Sequence, residues 1–265
     1  MTMPASVPAP ASLPAAFLRV PLAHRGLHDP AAGRPENTRA AVRAAVDAGY
    51  GVEIDVQPSS DGQAMVFHDE HLARLTGQGG ETAARPAAEL QRLRVLESDE
   101  TIPTLRDILG IVAGRVPLLV EVKDQHGGMG AIDERLETVV AQDLRDYAGP
   151  VAVMSFNPHS VAAMARLAPG VPRGLTTAAY DGTDWGTTTD ARRAELRGIP
   201  DYDRVGASFI SHEAADLARP RVAELRSRGA GVLCWTIRSP LAEGAARKHA
   251  HNITFESYLP AVPPA

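Results

Sequence analysis

The chain has 265 residues, 44% of them hydrophobic, with 27 Lys+Arg against 32 Asp+Glu, a net charge of −5 and a pI near 6.0. That is enough apolar material for a sizeable core without disulfide or metal staples, and a mildly acidic chain with no basic block does not fit a nucleic-acid binder. The single cysteine, Cys234, excludes an internal disulfide and points to a reducing compartment. No run approaches the ~18–20 apolar residues of a membrane-spanning helix. The expectation is a soluble, cytoplasmic protein with no stable membrane insertion.

The first twenty residues carry four prolines and one late arginine, Arg19. They lack the basic head and apolar stretch of a secretory signal, and read as a flexible Pro/Ala-rich leader over 1–20 before a single domain over 21–265. From there two signatures alternate. Short β-rich runs are expected at Leu22–Ala23, Gly51–Val56, Ala64–Phe67, Pro117–Val122, Val151–Phe156, Arg173–Thr177, Ala207–Ile210, Gly231–Ile237 and Asn252–Phe255. Helical patterns fall at Asn37–Ala48, Thr104–Ala113, Ile132–Tyr147, His159–Ala168, Arg219–Arg228 and Leu241–His249. Residues 71–100 read as an insertion with short helical pieces, and residues 180–204, rich in Gly, Asp and Thr, as a loop near the mouth. Strands alternating with helices imply a parallel sheet. About eight such units in this length favour a closed (β/α)8 barrel over an open sheet.

The informative residues are polar ones on strands that are otherwise greasy. In Gly51-Val52-Glu53-Ile54-Asp55-Val56, Glu53 and Asp55 share one strand face, and Glu121 and Lys123 do the same at the end of Leu118–Lys123. Three buried carboxylates close together demand a cation, and an all-oxygen donor set selects a hard ion such as Mg2+ or Ca2+. His24 follows the first apolar run and His68 ends the run Met65-Val66-Phe67, so both emerge at the C-terminal rim, where barrel enzymes place their chemistry. Ser59-Ser60-Asp61-Gly62 is a turn signal. If the flanking runs pair as a hairpin about it, His68 falls opposite Ile54 or Asp55; two parallel strands would bring it to the same rim. His28, His71, His126, His159, His212, His249 and His251 have no such neighbours and read as structural or surface residues.

In order along the chain, His24-Arg25-Gly26, Glu36-Asn37-Thr38, Glu53-Ile54-Asp55-Val56, Asp61-Gly62, Val66-Phe67-His68-Asp69, Ile102-Pro103-Thr104-Leu105, Glu121-Val122-Lys123, Ser155-Phe156-Asn157 and Trp235-Thr236-Ile237 resemble the glycerophosphodiester phosphodiesterases. The resemblance covers roughly residues 20–240. It implies a (β/α)8 barrel, Glu53, Asp55 and Glu121 as ligands of a divalent metal, His24 and His68 as an acid/base pair, and Arg25 and Lys123 as phosphate-contacting cations. Two positions depart from the family pattern: Arg238 stands where the family often has Asn, and Glu256 where it commonly has Asp. Glu36 could orient Arg25 or approach the metal. Asn37 or Thr38 could cap the following helix, and Trp235 could wall a glycerol moiety or pack in the core.

The resemblance implies hydrolysis of a small-molecule glycerophosphodiester to sn-glycerol 3-phosphate and an alcohol such as choline or ethanolamine. The rival readings are a phospholipid-cleaving relative (a lysophospholipase D or phosphatidylinositol-type phospholipase) and a non-catalytic phosphodiester-binding barrel. An aromatic content of only 5% and the lack of a basic amphipathic segment weigh against tight membrane work. The shortness of the insertion leads one to expect an open, accommodating mouth.

Overall fold

The structure is a computed structural model and describes residues 11–182 and 185–263. In chain order its elements are β1 (Leu22–Ala23), α1 (Arg39–Asp47), β2 (Gly51–Pro58), β3 (Ala64–Val66), α2 (Ala73–Thr76), α3 (Ala87–Leu90), α4 (Leu105–Val112), β4 (Leu118–Val122), α5 (Arg135–Leu144), β5 (Val151–Ser155), α6 (Pro158–Leu167), β6 (Arg173–Thr177), α7 (Asp190–Arg197), β7 (Phe209–Glu213), α8 (Pro220–Ser227), β8 (Gly231–Ile237), α9 (Pro240–Ala246) and β9 (Asn252–Phe255). Eight strands run parallel in the order β1-β9-β8-β7-β6-β5-β4-β2, and pairing of β1 with β2 closes the ring. This is the (β/α)8 barrel expected from the alternation. β3 alone is antiparallel, added to the outer half of β2.

Alternation along the strands sorts the core into two regions. Val52, Ile54, Val56, Leu118, Val120 and Val122 face outward and pack under the helices with residues such as Val42, Ile108 and Val140. The inward set at the strand starts is apolar: Leu22, Leu119, Ala152, Phe209 and Leu233 form a floor. Helices begin where side-chain oxygens can meet their first free N–H groups. Thr38 accepts from Ala41 N at the start of α1, and Thr104 and Asp107 form a reciprocal box at α4. Asn157 caps α6, with Pro158 in its first turn. Gly174 is dictated by packing, since a Cβ there would lie 2.4 Å from the Phe209 ring.

Three expectations are corrected. The segment set aside as a mobile leader is, in its described part, packed: residues 15–18 form a 3-10 turn that inserts fully buried Phe17 into the floor. Asn252 Nδ2 donates to Phe17 O (2.8 Å) and Val20 O (2.6 Å), tying that turn to the barrel. Residues 1–10 lie outside the described residues. The seventh strand runs to Glu213 and not only to Ile210, because Ser211 and His212 keep pairing with β6 and β8. His212 is buried between Thr177 (2.8 Å) and Asp216 (3.2 Å), so its polarity is satisfied in place. The 180–204 loop contains α7, which the apolar pattern could not reveal, because Leu196 is its single buried residue; residues 183 and 184 lie outside the described residues.

Residues 71–100 do carry short helical pieces, α2 and α3. They close a small core of their own on Met65 and Phe67, with Leu72, Leu75, Leu90, Val95 and Ile102. Among the described residues no helix is long and apolar enough to cross a membrane. Burial pushes the Cys234 thiol up to about 12, so it is an inert core group.

Phe17→Ala should cost about 3–5 kcal/mol, the usual penalty for emptying a buried phenylalanine site. Denaturant unfolding reads this, and a change below ~1 kcal/mol would show the N-terminal turn not to be part of the barrel floor.

Candidate active site

Strand register builds the acidic centre. β2 and β4 pair with Asp55 beside Glu121, and Glu53 sits one pleat deeper on the same face. Carboxylate oxygens of all three lie within 4.8 Å of one another, and the residues are only 2–6% exposed. Burial first, then the charges of Asp55 and Glu121, push the Glu53 carboxyl well above its usual range. Asp55 goes the other way. Burial opposes its ionisation, but His68, Lys123, Arg25 and a hydrogen bond from Asn37 together hold it far below that range. Lys123 Nζ lies 2.9 Å from Glu121 and 3.5 Å from Asp55. Two fixed cations, Lys123 and Arg25, thus face three carboxylates. Two cations leave the three buried carboxylates short of positive charge, and an oxygen-only donor set of this span fits a hard divalent cation.

The loop after β1 wraps this centre. Arg25 and Asn37 both adopt the left-handed region, at φ 55° and 57°, a costly conformation for non-glycine residues that persists where the surroundings hold it. The Arg25 N–H donates to Glu53 (3.0 Å), and the Arg25 side chain reaches back to Glu36 (2.6 Å) while its Nε lies 3.4 Å from Asp55. That Nε is buried and makes no hydrogen bond. Asn37 clasps Asp55 twice, Nδ2 donating to its carboxylate (2.9 Å) and Oδ1 accepting its N–H (3.2 Å). Of the two cap candidates Thr38 is the cap, and Asn37 belongs to the site.

The histidines enter from opposite neighbours. The Ser59–Gly62 turn makes β2 and β3 a true hairpin, with Val56 opposite Val66, so the pairing carries His68 to the level of Ile54. Its Nδ1 lies 2.7 Å from Asp69. β1 pairs with β9 as Ala23 with Phe255, which brings the next residues, His24 and Glu256, side by side. His24 Nδ1 lies 2.6 Å from Glu256, whose other oxygen takes Arg238 Nε at 2.6 Å. Both departures from the family pattern therefore meet in one ion pair behind His24. Hydrogen bonds from His24 and His28 hold the Glu256 carboxyl far below the usual range. Burial lowers the His24 pKa in spite of that partner. With Nδ1 engaged by a carboxylate in each case, Nε2 is the nitrogen free to act.

His24, Arg25, Glu53, Asp55, His68, Glu121, Lys123 and Trp235 all line one cavity of about 170 Å3. Glu36 stands behind Arg25 and does not line it. Larger hollows exist beside the hairpin tip, about 370 Å3, and beneath the barrel, about 550 Å3, but neither gathers a comparable set of charges. Trp235 is part of the wall: its indole N–H donates to Ser211 O (3.0 Å), and its ring meets Phe156 in a T-shaped contact with centroids 5.5 Å apart. Trp185 and Tyr180 extend this apolar side of the mouth. Residues that sequence reasoning missed are Asp69, Arg74 and the clasp by Asn37; adjacency to His68 was the one available signal for Asp69.

Comparison with known proteins places the chain in a family. The glycerophosphoryl diester phosphodiesterase family model matches residues 24–254. A Bacillus subtilis protein assigned as a glycerophosphodiester phosphodiesterase is 27% identical over 227 residues, 82% of this chain and 86% of its own length. The glycerophosphodiester phosphodiesterase of Caldanaerobacter subterraneus is 30% identical over 162 residues, 58% of this chain and 65% of that one. A phosphodiesterase of Oleispira antarctica, solved in complex with the product sn-glycerol-3-phosphate, superposes with a TM-score of 0.74 at 25% identity, covering 91% of this chain and 94% of that one. The chain belongs to the glycerophosphoryl diester phosphodiesterase family, and is a phosphoric diester hydrolase built on a (β/α)8 barrel.

Proposed function

We propose that the enzyme hydrolyses glycerophosphodiesters to sn-glycerol 3-phosphate and an alcohol, in a reaction that needs a divalent cation at Glu53, Asp55 and Glu121 and uses His24 and His68 as base and acid. The observation that carries this reading is the convergence on one cavity of two carboxylate-anchored imidazoles, three clustered carboxylates and two fixed cations. The product bound to the Oleispira antarctica relative supports the same chemistry. When bound, Mg2+ or Ca2+ would neutralise phosphate charge and orient the diester.

The chain's own residues then divide the work. The Arg25 guanidinium and the Lys123 ammonium meet the anionic phosphate oxygens that otherwise repel a nucleophile. His24, whose pKa burial lowers, accepts the proton of the attacking hydroxyl at Nε2. His68 delivers a proton from Nε2 to the leaving alcohol oxygen as its bond to phosphorus breaks. The balance is one water added across one P–O bond, whether the first attack comes from water or from the glycerol hydroxyl. The apolar wall of Phe156 and Trp235 faces the organic part of the diester. That same wall, extended by Tyr180 and Trp185, favours lysophospholipid diesters as a second substrate class.

The direct test is glycerol 3-phosphate release from glycerophosphocholine with Mg2+ or Ca2+ and then with chelator. Chelation should abolish release, added metal should restore it, and His68→Ala should lose about 10²–10⁴-fold in kcat. Metal-independent release, or full activity without His68, would overturn the mechanism. Lysophosphatidylcholine in the same assay reads the second substrate class through choline release.

Because the trio repels itself, metal should also stabilise the fold, by about 2.7 kcal/mol at a hundred times Kd. A melting temperature indifferent to Mg2+ and Ca2+ would count against a built cation site.

The pH profile carries a sign. A base must be neutral, so the rate should fall as pH drops through the His24 pKa, which lies below the ordinary 6.5. Glu256 raises that pKa, so Glu256→Gln should move the acid limb to still lower pH; a limb moving upward would remove His24 from the role.

A further inference from the structure

We propose that Arg74, on α2 of the 71–100 excursion, is a positioning residue that locks His68 and Arg25 into one rigid array across the mouth of the site. The inference rests on the reading of His68 and Arg25 as groups that act on the phosphate. One guanidinium grips two carboxylates at once. Nε and Nη2 of Arg74 donate to Asp69 at 2.6 and 2.9 Å, and Nη1 and Nη2 donate to Glu36 at 3.0 and 2.8 Å. Each carboxylate passes the constraint inward. Asp69 Oδ1 also holds His68 Nδ1 (2.7 Å), and Glu36 Oε1 also holds Arg25 Nη1 (2.6 Å).

Removing the guanidinium leaves Asp69 and Glu36 as like charges at the same place, with no shared donor between them. Each would turn towards water, and His68 and Arg25 would lose the partners that fix their rotamers. Lysine cannot substitute, because a point charge cannot make four bonds in two planar forks. The excursion is shaped for delivering this side chain. Leu72 and Leu75, on either side of Arg74, are buried in the excursion's own small core, while Arg74 points the other way and is half-exposed. A merely structural ion pair at that exposure contributes little to stability, so an effect on catalysis separates the two roles.

The experiment compares Arg74→Ala, Arg74→Lys, Asp69→Asn, the Asp69→Asn/Arg74→Ala double variant and His68→Ala in steady-state hydrolysis of glycerophosphocholine with saturating metal. Arg94→Ala serves as control, since it breaks a different exposed ion pair, with Asp99, on the same excursion. Arg74→Ala should lose about 10–100-fold in kcat, the usual cost of removing a group that orients an active one, with a smaller change in KM and a melting temperature near that of Arg94→Ala. Added guanidinium ion should restore part of the Arg74→Ala rate and none of the His68→Ala rate. Arg74→Lys, which retains the charge and guards against a folding defect in the alanine variant, should still lose most of the rate. The double variant should be no slower than the slower single one, because both act through the same chain of bonds. Arg74→Ala or Arg74→Lys within about twofold of wild type would overturn the proposal, as would losses that multiply in the double variant or a failure of guanidinium to rescue. Full activity in His68→Ala would overturn the underlying reading of the site instead, so the two failures are told apart.

Discussion

Three carboxylates forced together inside a barrel are the constraint on which the rest of this molecule depends. Glu53, Asp55 and Glu121 sit within a few ångströms of one another with almost no access to water, and charge in that setting is costly unless it is compensated. The surroundings answer it piece by piece. Lys123 and Arg25 supply fixed positive charge, Asn37 and the Arg25 N–H supply hydrogen bonds, and two residues accept left-handed backbone to bring those donors in. The deficit that remains falls on Glu53, whose carboxyl is pushed well above the usual range by burial and by its acidic neighbours Asp55 and Glu121.

Around that centre the polar groups are arranged in relays. Each histidine has a carboxylate at Nδ1, and each carboxylate has an arginine behind it: Arg238 behind Glu256, Arg74 behind Asp69. Such layering fixes tautomer and orientation together, since an imidazole bonded through one nitrogen presents the other in a known direction. The two departures from the family pattern meet here, since Glu256 takes both His24 and Arg238.

The floor and the mouth divide the remaining labour. Phe17 and the apolar strand starts close the barrel from below, and the polar centre opens towards the C-terminal rim. At that rim one side is aromatic, with both of the chain's tryptophans, and the other is charged, with Arg74 and its carboxylates. A phosphodiester with an organic arm is matched to such a divided opening.

Much of this was legible in the amino-acid order. Period-two alternation exposed Glu53 with Asp55 and Glu121 with Lys123 as polar pairs on buried strands, and the Ser59–Gly62 turn was enough to place His68 near them. Those inferences succeed because they use local rules: a strand alternates faces, a tight turn reverses the chain, and barrel strands end at one rim. What failed was equally physical. The described part of the segment before residue 21 looked like a mobile leader because its buried anchor, Phe17, packs on strands up to more than two hundred residues away. The helix Asp190–Arg197 was invisible because it buries one side chain. The clasp of Asn37 on Asp55, the bond between His24 and Glu256 and the reach of Arg74 to Glu36 join positions 18 to 232 residues apart. By itself the sequence determined the barrel and the inventory of its charged groups; only the tertiary structure decided which carboxylate serves which histidine, because strand register and chain closure, not local pattern, set those distances.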